Sequence, residues 1–260
     1  MSEGPAISFR DVTKYYPVTA GRAMFLKDVL LHLPGSLSAL RRRQRFCALD
    51  GVSFDVARGE SFGVIGRNGS GKSTTLGLIA RVLVPNQGSV RTVGRIAPLL
   101  ELGAGFHFDL TGRENIMLNG VLLGLTRERV RARVADIVAF SELGDLIEQP
   151  LRAYSSGMVA RLGFSVAVHL DPDILLVDEV LAVGDEAFQK KCLRRMAEFR
   201  ARDVTMVLVS HNLGDIESLC DRAALLDGGR LAMVGRPREV VAEYRRRLDD
   251  GAAGTDDAGP

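Results

Sequence analysis

The chain has 260 residues, 46% hydrophobic and 25% charged, an ordinary globular composition with enough length for one substantial core or a core plus a small subdomain. A formal net charge of +2 gives no global basic balance to argue for nucleic acid, so only local basic patches could serve one. Cys47, Cys192 and Cys220 form no CxxC pair and read as reduced thiols, "MSEGPAISF" lacks the regions of a secretory signal, and no window reaches the roughly 20 apolar residues of a bilayer span. The expectation is a cytoplasmic protein whose membrane association is peripheral or through a partner.

Residues 6–16 alternate weakly, as a strand does. "MFLKDVLLHLPGSLSALRRRQRF", residues 24–46, then breaks the pattern. Phe25, Leu26, Val29, Leu30 and Leu33 recur at helical spacing, Pro34-Gly35 stops the run, and Arg41, Arg42, Arg43 and Arg45 follow. A membrane anchor, a nucleic-acid patch and a contact surface for something apolar are open readings of such a segment, and its length excludes a span.

"ALDGVSFDVARGESFGVIG" reads as strand, turn, strand, punctuated by Gly51 and Arg58-Gly59. "SGKSTTLGLIARVL" is helical, and "GSVRTVGRIAPLLEL" returns to short strands. From about 110 to 170 the pattern is helical throughout, which suggests a helical subdomain over about 107–170 inserted into the core. "DILLVDE" suits a strand buried on both faces. A helix near 186–201, the strand "TMVLVS", a helix at 212–220 and a hairpin around Gly228-Gly229 follow, and a last helix, "PREVVAEYRRRL", leads to a tail expected to be disordered over 249–260. Strands alternating with helices predict an α/β core with a mostly parallel sheet.

"GRNGSGKST" carries a P-loop: Gly66, four residues, Gly71, Lys72, Ser73, between an apolar strand and a helix. Glycines let backbone N–H groups close on phosphate oxygens, and the helix places its positive dipole end there. Gly66, Arg67, Asn68, Gly69, Ser70, Gly71, Lys72, Ser73 and Thr74 are the candidate phosphate cradle. Lys72 can reach the β and γ phosphates, and the Ser73 hydroxyl can ligate Mg²⁺. Asp178, ending the buried run, is placed to hold Mg²⁺ through water, and Glu179 to act as general base on the attacking water.

Two more segments go beyond a generic P-loop protein. "YSSGMVARLGFSVAVHLDPDILLVDE" resembles the signature loop, signature helix and Walker B run of ABC-transporter ATPases, and "LVSHN" resembles their switch-histidine loop. The resemblance spans about residues 6–245. It implies an α/β P-loop NTPase of ABC type, with an antiparallel β subdomain and an inserted α-helical subdomain over residues 1–248. It also implies ATP as ligand, Mg²⁺ as cofactor and ATP hydrolysis as the reaction. By the same resemblance His211 is the switch histidine. Ser155 and Gly157 touch the γ-phosphate held by the opposite subunit of a homodimer, Asp185 in "LAVGD" is an acid at the dimer crossing, and Tyr16 stacks on adenine, with Tyr15 the second candidate.

The signature departs from the common pattern, reading Tyr-Ser-Ser-Gly-Met. The loop that in relatives carries a glutamine to Mg²⁺ reads "APLLELGAGF", where Glu101 is the polar candidate for the metal. "PLLELGAGFHFDLTGRENI", "YSSGMVARLGFSVA" and "VDEVLAVGD" together resemble the ATP-binding subunits of bacterial polysaccharide exporters, which move O-antigen, capsule or teichoic-acid chains. That implies transmembrane permease partners and a place on the cytoplasmic face of the cell membrane; the C-terminal carbohydrate-binding domain that some such subunits carry is expected to be absent, since the sequence ends about a dozen residues after the last helix. An ABC subunit for another cargo is the alternative, and a soluble ABC ATPase of DNA repair or translation is a remoter one. Residues 20–46 are then an insertion, either packing on their own domain or touching permease, lipid head groups or lipid-linked cargo.

Overall fold

The structure is a computed structural model, and it describes residues 4–17, 45–99, 103, 105–169, 171–178, 184–210 and 212–253, the side chains of 251–253 apart. The helix expected over 25–33 and Arg41, Arg42 and Arg43 lie outside the described residues, as do Glu101, Glu179 and His211.

Strands β1 (Ile7–Pro17), β2 (Arg45–Val56) and β4 (Gln87–Thr92) form a small antiparallel sheet in the order β2-β1-β4. Strands β3 (Ser61–Ile65), β5 (Ile96–Leu99), β6 (Ile174–Asp178), β7 (Thr205–Val209), β8 (Arg222–Asp227) and β9 (Arg230–Gly235) form a second sheet in the order β5-β6-β7-β3-β8-β9. Its first five strands are parallel, and β9 returns antiparallel through the Gly228-Gly229 turn. Gly51 proves to be no strand end: β2 runs through it at φ 63 and pairs with β1 on both sides, where the register slips.

The helices are α1 (Lys72–Ile79), α2 (Gly112–Leu122), α3 (Arg127–Ser141), α4 (Ser156–Ala167), α5 (Glu186–Ala201), α6 (Leu213–Leu219) and α7 (Pro237–Ala253). Helix α7 continues past Leu248, where the sequence suggested a tail, and the Arg246–Asp250 ion pair at 2.7 Å spans one turn of that extension.

Successive residues of β6 serve opposite cores. Leu175 and Val177 face a cluster with Phe164, Phe188, Phe199 and Val240, whereas Ile174 and Leu176 face one with Leu76, Ile79, Val52 and Phe9. Burial on both faces explains the unbroken apolar run. Phe9, Phe54 and Phe62 stack at centroid spacings of 4.5 and 5.3 Å and join the antiparallel sheet to the parallel one.

Residues of α2, α3 and α4 share a third core, built from Ile116, Val130, Ile137 and Leu162, and Leu151 of the turn before α4 joins it. Thr111 opens α2 with a capping box, its hydroxyl accepting from the Glu114 N–H and its own N–H donating to the Glu114 carboxylate. The chain leaving toward α2 and the chain returning from α3 meet: Leu151 N–H donates to Leu110 O at 3.0 Å and Arg152 N–H to Phe108 O at 3.0 Å. Among the described residues, no helix is long and apolar enough to cross a membrane.

Candidate nucleotide-binding site

Three segments leave the same edge of the parallel sheet. Val64 and Asp178 both pair with Val209, so the chain after β3, β6 and β7 emerges from adjacent strands. That carboxyl edge is where open α/β sheets bind ligands. The chain after β3 is the 66–71 loop, and Glu179 and His211 fall just past the described ends of β6 and β7.

The loop's glycines are required by its shape. Gly66, Gly69 and Gly71 have φ of 152°, 79° and 104°. A Cβ on Gly66 would stand 2.2 Å from Leu226 O, and one on Gly71 would stand 2.6 Å from both Ala48 O and Leu49 Cδ2. Gly69 has nothing within 4 Å of such an atom, so its positive φ opens the loop on that side without any packing demand.

Lys72 is 8% exposed, and its Nζ donates to Gly66 O at 2.8 Å and Arg67 O at 3.0 Å, folding the ammonium back over the loop. Gly71 caps α1 at φ 104° and has no side chain to bond the helix start. The Ser70 hydroxyl is buried with no hydrogen-bond partner among the described residues. Thr75 instead anchors the helix start, its hydroxyl donating to Gly71 O at 3.0 Å. A cavity of about 290 Å³ is lined by Phe46, Ala48, Asn68, Gly69, Gly71, Lys72, Ser73 and Thr74. Uncapped amides, a buried cation and a cradle of glycines fit a polyphosphate, and the exposed Ser73 hydroxyl beside them fits a hard divalent cation, as does the Asp178 carboxylate.

The aromatic wall of this cavity is Phe46, half exposed, a residue the sequence reading placed in the insertion. It pairs across the strands with Tyr16, whose hydroxyl lies 3.5 Å from Thr74 Oγ1 without lining the cavity. Lys14 Nζ sits 5.5 Å from the centre of the Tyr16 ring. Tyr15 N–H donates to Asn86 Oδ1 at 2.7 Å.

Ser155, Gly157 and Asp185 line no part of this cavity. Ser155 is the exposed N-cap of α4, its hydroxyl accepting from Met158 N–H at 3.3 Å, and Gly157 lies in that helix's first turn. The helix is twelve residues long and presents its positive end to solvent. Asp185 is the N-cap of α5, one carboxylate oxygen accepting from Phe188 N–H at 2.9 Å.

The family profile described as ABC transporter matches residues 49–182. The chain is 48% identical over 244 residues to the O-antigen export system ATP-binding protein RfbB of Klebsiella pneumoniae, covering 94% of this chain and 99% of that one. It is 40% identical over 248 residues to the teichoic acids export ATP-binding protein TagH of Bacillus cereus (strain ZK / E33L), covering 94% of this chain and 43% of that protein. In fold it is similar to an ATP binding subunit of an ABC transporter, with a TM-score of 0.72 at 23% identity over 94% of this chain and 97% of that one. It is also similar to the ATP-binding cassette MJ0796 in a dimeric post-hydrolysis state bound to ADP and Pi, with a TM-score of 0.70 at 20% identity over 89% of this chain and 99% of that one. The chain belongs to the ABC transporter family, as an ATPase of the ATP-binding cassette type.

Proposed function

We propose that this ATPase energises an exporter of polysaccharide or lipid-linked glycan, working as a homodimer beneath a transmembrane permease on the cytoplasmic face of the cell membrane. The observation that carries the cargo is the 48% identity over 94% of the chain to an O-antigen export subunit. Residues 1–248 act as the ATP-binding domain, with about 107–170 as its helical subdomain.

The phosphates of ATP sit on the N–H groups of the 66–71 loop and the start of α1. Lys72 exchanges the Gly66 and Arg67 carbonyls for phosphate oxygens, so a cation already held in the site meets the charge of the transition state. Phe46, beside Tyr16, offers the base a ring face. Ser73 and Asp178 hold Mg²⁺, which when bound neutralises phosphate charge. Glu101 stays a candidate ligand on sequence alone, as do Glu179 for orienting water and His211 for the γ-phosphate. Ser155, Gly157 and Asp185 serve the nucleotide of the neighbouring copy: the exposed N-terminus of α4 is an anion seat that does not line the phosphate cavity of its own chain.

Three experiments test this. Deleting the gene should leave cells with an undecorated surface and glycolipid accumulating inside, and a normally decorated surface would remove the cargo assignment. Glu179→Gln should retain ATP binding and lower turnover by a factor of roughly 10²–10³. Replacing Arg41, Arg42, Arg43 and Arg45 by Ala should impair export at unchanged basal hydrolysis if the 24–46 segment handles cargo, and unchanged export would favour a segment that packs on its own domain.

A further inference from the structure

Where the helical block meets the sheet body, four charged side chains close around two aromatic rings. Glu142 ends α3 at φ 57 and accepts from Arg161 Nη2 at 2.6 Å and Lys191 Nζ at 2.8 Å. The Arg161 guanidinium lies 4.7 Å from the centre of the Phe188 ring, and Lys191 lies 4.5 Å over Phe140. Arg161 Nη1 stands 4.0 Å from Asp185 Oδ2, the carboxylate oxygen that does not cap α5. Arg161 is 19% exposed, so these contacts form in a partly desolvated setting where charge pairing is stronger than on the open surface.

The guanidinium therefore touches three elements at once. It belongs to α4, the helix that Ser155 caps, and lies six residues on from that cap, about 9 Å along the axis. It is tied to the end of α3 through Glu142 and stacked on the first turn of α5 through Phe188. Asp185 and Gly184 are held to the same residue: Asp185 caps the Phe188 backbone N–H, and a Cβ on Gly184 would meet the Phe188 Cβ at 3.2 Å. A planar cation with donors on several edges suits this geometry, whereas an ammonium can fill one of these roles at a time.

We infer that Arg161 is a positioning residue for ATP hydrolysis, holding the Ser155 end of α4 and the Asp185 end of α5 in one fixed arrangement so that both reach the neighbouring copy's nucleotide together. The inference rests on the proposed in-trans role of Ser155 and Asp185. Arg161 itself does not line the phosphate cavity. Its loss should therefore lower turnover and leave ATP affinity alone, a split that general loss of fold would not give.

The test uses the full-length chain carrying Arg161→Lys, Arg161→Gln, Asp185→Asn, and the Arg161→Lys/Asp185→Asn pair. Asn caps helices as Asp does, so the start of α5 survives the third change. Expected are a kcat about tenfold lower in both Arg161 variants, an ATP Kd within about twofold of wild type, and a double variant no slower than the slower single one. If Arg161→Gln does not fold, Arg161→Lys carries the comparison. An unchanged kcat, a Kd that rises in step with the loss, or losses that multiply in the double variant would overturn the inference. Ser155→Arg in the same assay separates the two levels. Normal hydrolysis there removes the in-trans reading itself, whereas a loss there beside a normal Arg161→Lys removes the role of Arg161 alone.

Discussion

Val64 and Asp178 stand opposite the same residue, Val209, one on each side of β7. At about 4.8 Å per strand, their backbones lie roughly 10 Å apart across the sheet. Two residues beyond Val64 the chain reaches Gly66, so the cradle and the acid are set in one plane by ladder hydrogen bonds, not by loop contacts. Asp178→Asn should keep the sheet and nucleotide binding intact while lowering Mg²⁺-dependent hydrolysis about 10²-fold. Steady-state hydrolysis across a Mg²⁺ titration checks this, and a wild-type response would remove Asp178 from the metal site.

Gly69 and Gly71 share a positive φ but differ in what surrounds them. Gly69→Ala should cost about 1–2 kcal/mol of backbone strain, lowering Tm by a few degrees, and weaken ATP binding because the added methyl enters the cavity. Gly71→Ala adds a collision with Ala48 O and Leu49 to the same strain, so about 3 kcal/mol or more is expected. Thermal melting with and without ATP separates the two, and equal melting temperatures would contradict the loop geometry.

Phe46 lines the cavity and Tyr16 does not. Phe46→Ala should raise the ATP Kd about tenfold, the scale of one lost base–ring stack, and more than Tyr16→Ala does. Equilibrium titration with ATP measures both, and a larger effect at Tyr16 would return the stacking role to the residue that family resemblance selects.

His169 reports on the same joint as Arg161, since its ring meets Phe140 edge-on at 5.3 Å. Burial pushes its pKa down from 6.5, against the opposing pull of its contact with Ser165 O. Below about pH 6.5 the unfolded chain takes up a proton that the folded one refuses, so stability is complete above that value and falls as pH drops through the window beneath it. Glu142 and Asp171, held below the usual carboxylate range by Lys191 and Arg133, lose their contributions at lower pH. His169→Gln should flatten the fall in Tm between pH 7.5 and 5.5, and an unchanged slope would mean that His169 is not held neutral.

The P-loop was legible because its chemistry is contiguous: glycine, lysine and serine at fixed spacing need only a strand before and a helix after. Asp178 was legible as the end of an apolar run, and the parallel sheet followed from the alternation of such runs with helices. Phe46 was not legible, because its place depends on a β1–β2 register that slips at several points and on a partner strand across the insertion. The period-two spacing of Phe46 and Ala48, both lining the cavity, is the signal that could have found it. Gly51 misled because glycine inside a strand can mark a bulge as well as an end. The composition of residues 249–260 suggested a tail, but Asp250 lies one turn after Arg246 and pairs with it. The role of Arg161 was hidden altogether, since Glu142, Phe188 and Asp185 come together only in three dimensions.

The chain that departs at Leu110 and returns at Leu151 is stitched to itself by backbone bonds. Those bonds fix its two ends, so the turn at the exposed Gly124 between α2 and α3 can change length without altering the spacing of the strands the block interrupts, as long as the core shared with α4 and the Glu142–Arg161 pair are kept. Changing loop length adds little to the closure entropy once the ends are pinned. Insertions at that turn should therefore leave the phosphate loop as it is, whereas changes at the Glu142 end of α3 reach through Arg161 to the start of α5.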